Sequence, residues 1–130
     1  MFLFKTSGAT LHNVVRYQKH AFRGRPREWL PGEVVLVSKN RADCGPTERQ
    51  IQFTMELVKI RPLQPGESEQ YWPGTEGRWR YLFECAATKR LARSFDLADV
   101  LGSKAAEYQA VMTFKRLSPE HAYAVERVLQ

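Results

Sequence analysis

Cysteine is nearly absent from this sequence. Only Cys44 and Cys85 occur in 130 residues, one in a turn-like segment and one alternating within a strand-like stretch. That pattern is not a disulfide framework, and no Cys and His partners stand at zinc spacing. Long apolar runs are missing too. The longest fall far short of the roughly 18 residues of a membrane span, and Met1-Phe2-Leu3-Phe4-Lys5 is too short for a signal-peptide core. The expected location is the cytoplasm, with no membrane partner. Catalytic signatures are also sparse: there is no Gly-Xaa-Ser-Xaa-Gly elbow, phosphate loop, metal-ligand cluster or convincing carboxylate pair. His12, His20 and His121 are scattered. A non-catalytic protein without cofactor or metal is the expectation.

What is present is a positive charge concentrated at one end. Composition is ordinary for a folded domain, with 43% hydrophobic and 26% charged residues, and 130 residues suit one domain with one core. Residues 1–41 hold eight Lys or Arg against Glu28 and Glu33, a balance of +6, whereas residues 42–130 hold twelve charges of each sign. The whole excess lies in the first third. A localised positive field of this kind attracts a phosphate backbone, although a solubilising surface has the same composition.

The centre of the chain's organisation is Trp29 to Asn40. Pro31-Gly32 signals a turn, and Val34-Val35-Leu36-Val37 is a β-branched run that reads as a strand buried on both faces. Before it, Phe2 to Lys5 reads as a strand. Thr10 is placed to cap a helix whose apolar positions are Leu11, Val14, Val15 and Phe22. Arg23-Gly24-Arg25-Pro26-Arg27 then forms an exposed basic connection. After it, Ile51 to Ile60 alternates as a strand, and residues 62–77 form a long loop containing Tyr71-Trp72. Arg78 to Thr88 is a further strand, Asp96 to Leu101 a short helix stopped by Gly102, and Ala110 to Phe114 another strand candidate. Ser118-Pro119-Glu120 starts a final helix. The expected fold class is α+β, most simply a strongly bent sheet or small barrel with short helices.

The order of these pieces resembles the EVE domain, a branch of the PUA-like fold related to YTH and ASCH domains. The residues that carry the resemblance are Leu3-Phe4-Lys5, Val15-Arg16-Tyr17-Gln18, Gly32-Glu33-Val34-Val35-Leu36, Tyr71-Trp72-Pro73, Arg78-Trp79, Leu97 to Leu101, and Leu117-Ser118-Pro119-Glu120. They span nearly the whole chain. The pattern departs from the family at His12-Asn13-Val14, where a tryptophan and glycine are usual, and at Tyr17, where an asparagine is. The resemblance implies one EVE/PUA-like domain over residues 1–130, a pseudo-barrel of five to six mixed strands. It further implies a pocket that accepts a modified or flipped base, in DNA ahead of RNA. In relatives the domain occurs alone or joined to nucleases of modification-dependent restriction systems, so a nuclease partner is part of the expectation.

Such a site needs aromatic walls to recover stacking lost on extruding a base. The candidates are Trp29, Trp72, Trp79 and Tyr81, with a core position for Trp79 and Tyr81, or a plug at the barrel end for Trp29, as the competing readings. Base edges need directional groups, for which Asn13, Ser38, Lys39 and Asn40 serve; Asn40 equally suits an Asx-turn. Phosphates need cations, and Lys5, Arg16, Lys19, Arg23, Arg25 and Arg41 lie in the basic third. Two alternatives stay open. One is an ASCH-like hydrolase acting on nucleosides or RNA, with Lys39 and Asp43 as an acid-base pair. The other is a protein-interaction module using the Tyr71-Trp72 loop.

Overall fold

The computed structural model describes residues 1–130. Six strands form one curled mixed sheet: β1 (Phe2–Thr6), β2 (Lys19–Phe22), β3 (Val34–Lys39), β4 (Ile51–Pro62), β5 (Tyr81–Phe95) and β6 (Phe114–Arg116), in the order β2-β5-β4-β3-β1-β6. Only β1 and β3 pair in parallel. The run Val35 to Val37 is fully buried in β3, between β1 and β4, as its apolar continuity requires. Side-chain alternation then divides the interior. Phe2, Phe4, Val35 and Val37 point into the curl, while Leu3 and Leu36 pack under helices on the other face.

Curvature comes from β4 and β5, whose pairing shifts register at three places, and bulges of this kind strengthen twist. The edge strands β2 and β6 share no backbone ladder. Rings close the gap: Phe22 lies 5.3 Å from both Phe4 and Phe114, and Phe83 lies 5.4 Å from Phe4 and Phe114. The result is an α+β pseudo-barrel with an aromatic interior.

Helix α1 (Gly8–Tyr17) is shorter than its periodicity suggests. Ser7, not Thr10, caps it, its Oγ accepting from the Thr10 N–H. Gln18 ends it in the left-handed region at φ 54°, and that conformation is held because the Gln18 side chain accepts from the N–H and hydroxyl of Thr88. His20 and Phe22 are thereby delivered to a strand rather than a helix. Residues Ala110 to Thr113 are not a strand. Ala110 and Val111 turn their N–H groups back onto Ala106 and Tyr108, at the end of a short helix, α4 (Ala106–Gln109), so β6 begins only at Phe114. The long loop holds a five-residue helix, α2 (Glu67–Tyr71), and the buried Ser68 and Thr75 hydroxyls bond each other at 2.9 Å.

Asp96 ties the outer helices to the sheet. It caps α3 (Leu97–Leu101) in a capping box with Asp99, and its carboxylate accepts from the Gln50 N–H (2.8 Å), Arg41 (2.7 Å) and Arg49 (3.1 Å). Burial pushes this carboxyl up, but those three donors together hold it below the usual range. The final helix, α5 (Pro119–Leu129), starts at Ser118 and Pro119 as its sequence dictates. Replacing Asp96 by Ala leaves the Gln50 N–H buried and unpaired, so urea unfolding is expected to show a loss of about 2 to 4 kcal/mol; a loss within ~0.5 kcal/mol would contradict this bonding scheme.

Candidate functional site

A cavity of about 230 Å³ opens at the end of the barrel where β1, β2, the start of α1 and the turn before β6 meet. Trp79, just before β5, forms an aromatic wall. His20 and Phe22 supply the floor from β2. Lys5, Asn40, Arg78 and Met112 stand around it, with Ser7 and Thr10 from the helix start. Its volume admits one planar ring system rather than an extended ligand.

The floor is fixed by His20. Its Nε2 lies 3.0 Å from the Lys5 carbonyl and its Nδ1 2.8 Å from the Ala21 N–H. A carbonyl only accepts and an N–H only donates, so Nε2 carries the proton and Nδ1 the lone pair. Burial pushes the imidazole down to about 4, against an upward pull from the Lys5 carbonyl. The ring is therefore neutral at physiological pH and serves as a rigid bridge from β2 to β1. Trp79 stands perpendicular to it at 6.3 Å and perpendicular to Trp72 at 5.2 Å.

Of the sequence-predicted residues, Lys5, Asn40 and Trp79 share this cavity. The Asn40 side chain forms no cap on the 3-10 turn that follows it, so the Asx-turn reading does not hold and the amide is left free. Lys5 has no carboxylate partner; its ammonium lies 3.5 Å from the Gln109 carbonyl, and burial lowers its pKa. The remaining candidates sit elsewhere. Trp72 is 2% exposed, in the core rather than on a pocket wall, where its ring packs against His20 and Trp79. Asn13 donates to the Tyr71 carbonyl at 2.8 Å and secures that loop. Ser38 is buried within β3.

Lys39 bonds Glu48 at 2.9 Å. That bond raises the Lys39 pKa, while the Gly45 N–H, Gln52 and Lys39 bring Glu48 down to about 2. Lys39 thus pairs with both oxygens of Glu48 and makes no hydrogen bond to Asp43. Asp43 instead accepts from the Gly8 N–H at 2.9 Å. Trp29 lines a larger, open groove of about 660 Å³ together with Glu33 and Arg116. There Arg116 pairs with Glu33 and donates to the Glu28 carbonyl, so two of the groove's charged groups are committed to each other.

Among the predicted phosphate contacts, Arg41 is tied to Asp96. Arg16 lies over Tyr17 (5.2 Å), Lys19 over Tyr71 (5.4 Å) and Arg25 over Tyr81 (5.3 Å). Tyr81 is half-buried against the barrel core and is not among the residues lining the cavity. Arg23 is exposed just after β2. His20, Arg78, Ser7, Thr10 and Met112 escaped sequence reasoning. The inward alternation of His20 and Phe22 was the available signal for the first, and the Arg78-Trp79 pair for the second.

No protein-family model matches the sequence, and no curated protein matches it at a significant level. Solved structures do match the fold, which is that of the PUA-like pseudo-barrels. The ASCH protein of Zymomonas mobilis aligns over 99% of this chain and 95% of its own at a TM-score of 0.64 and 13% identity. A point variant of that protein gives 0.65 over 99% and 98% at 13% identity. A Pseudomonas putida protein aligns over 99% of both chains at 0.61 and 12% identity. The named neighbours are ASCH domains, so the resemblance noted in the sequence holds at the level of the superfold rather than of the EVE branch.

His20 makes the molecule acid-sensitive in a defined window. Between pH 6.5, the ordinary histidine value, and about 4, the unfolded chain takes up a proton that the folded chain refuses. Stability falls with pH through that window, by up to ~3 kcal/mol from this residue. Urea unfolding of the protein and of a His20→Gln variant at pH 7 and pH 4.5 is expected to show a shallower pH dependence in the variant; equal dependence would contradict a neutral, buried His20.

Proposed function

We propose that this domain binds nucleic acid by holding one unstacked base in the barrel-end cavity against Trp79, with Lys5 and Arg78 on the neighbouring phosphates. The support is a conjunction within one small cavity: a half-buried indole, a free amide on Asn40, and two cations without carboxylate partners. Stacking returns roughly 1 to 3 kcal/mol per base. The Asn40 amide reads a base edge, since it both donates and accepts. Arg16, Lys19, Arg23 and Arg25 extend the contact along a strand. In its finer form the reading is a modified base, in DNA ahead of RNA, with a nuclease as partner in a restriction setting, as the EVE-like order of motifs implies.

One observation favours a second, hydrolytic reading. Lys5, whose pKa is lowered, shares the cavity with the Ser7 and Thr10 hydroxyls, and the solved neighbours carry the ASCH name. Against it, both hydroxyls are engaged in capping α1, 2.9 Å from each other, and both His20 nitrogens are occupied.

Fluorescence anisotropy with labelled single strands of DNA and RNA, unmodified or carrying methylated or hydroxymethylated cytosine or methyladenine, tests the proposal. Trp79→Ala is expected to cost roughly 1 to 3 kcal/mol of affinity. Lys5→Gln and Arg78→Gln are each expected to flatten the dependence of log K on log salt by about one unit. Affinity unchanged in Trp79→Ala would overturn the site. Equal affinity for all bases would remove modification reading, and turnover of the oligonucleotide or a free nucleoside by metal-free protein would replace binding with hydrolysis.

A further inference from the structure

Met112 is 87% exposed, more than any other large hydrophobic side chain of the protein, and it stands at the mouth of the barrel-end cavity. A single exposed hydrophobic is ordinary on a protein surface. The position of this one is not. Its main chain is held on both sides: the Lys5 N–H donates to the Thr113 carbonyl at 2.8 Å, and the Val111 N–H to the Tyr108 carbonyl at 3.3 Å. The turn is thus anchored to β1 and α4 while the unbranched thioether projects free beside Lys5 and Arg78.

Resting on the proposed base-binding role of the cavity, we infer that Met112 is a wedge that enters the base stack of a duplex where the captured base has left it. Extruding a base opens a gap lined by two apolar ring faces, and side chains such as Met, Leu or Phe fill such gaps in proteins that unstack DNA. A methionine suits the task because it is flexible, apolar and polarisable. Charge complementarity favours a duplex here: Lys5 and Arg78 line the same cavity as Met112 and are the cations that meet the phosphates of the opened step. The ligand is therefore double-stranded at the moment of capture, not only single-stranded.

The test compares one oligonucleotide, carrying a central methylated cytosine beside a 2-aminopurine reporter, as a single strand and as a DNA duplex. Met112→Ala is expected to weaken duplex binding about tenfold and to suppress the rise in 2-aminopurine fluorescence that accompanies unstacking. Single-strand binding should stay within about twofold, because no stack has to be opened. Met112→Leu should behave as the parent, and Leu30→Ala, which removes another exposed apolar side chain, should change neither probe. Since Met112 packs against little, thermal unfolding of Met112→Ala is expected to match the parent. Equal losses on both probes, or no loss on either, would overturn the wedge while leaving the base pocket standing if Trp79→Ala still weakens single-strand binding. Binding insensitive to both Trp79→Ala and Met112→Ala would overturn pocket and wedge together.

Discussion

The imidazole of His20, bonded to the Lys5 carbonyl at 3.0 Å and to the Ala21 N–H at 2.8 Å, is the interaction on which the candidate site depends. The sheet curls far enough to bring β2 toward β1 and β6, but no backbone ladder joins those edges. Side chains must do so. The phenylalanine rings close the interior by burial and edge-to-face contact, which is strong but weakly directional. His20 adds a directional tie at the barrel end, and a buried histidine can serve only while neutral. Its ring is at once the closure of the barrel and the floor of the cavity, so fold and site share one residue.

Much of the fold was legible in the sequence. The β-branched run at Val34 to Val37 marked a central strand, and the alternation from Ile51 and from Trp79 marked the long pair β4 and β5. Ser118-Pro119 marked α5, because cap chemistry is local and reads the same in any context. Less legible were elements decided by distant partners. Nothing near Gln18 announces that Thr88 will stabilise its left-handed turn, so α1 looked longer than it is. The apolar run at Ala110 to Phe114 resembled a strand, yet hydrogen bonds to Ala106 and Tyr108 keep most of it in a turn.

The site was less legible than the fold, for a related reason. Sequence identifies residues able to stack or donate but not which of them are already engaged. Trp72 and Trp79 are both tryptophans of one loop region, and only burial separates the core residue from the cavity wall. Arg41 and Lys39 carry the same charge as Lys5. Asp96 and Glu48 neutralise the first two, leaving Lys5 as the cation of the predicted set at the cavity. The net charge of the first third thus overstated the field at any one point, because part of it is neutralised by Asp96 and Glu48.

A barrel closed by side chains carries an indole and free polar groups at one end, where the proposed function seats one nucleobase. Chemical-shift mapping of isotopically labelled protein titrated with a short single-stranded oligonucleotide tests that placement most directly. The account predicts that the largest perturbations fall on the Trp79 indole N–H, the Asn40 side-chain amide and the backbone of Lys5 and Thr113. Perturbations centred on the groove between Trp29 and Arg116, or on Tyr17 and Tyr71, with the Trp79 indole signal unmoved, would contradict it.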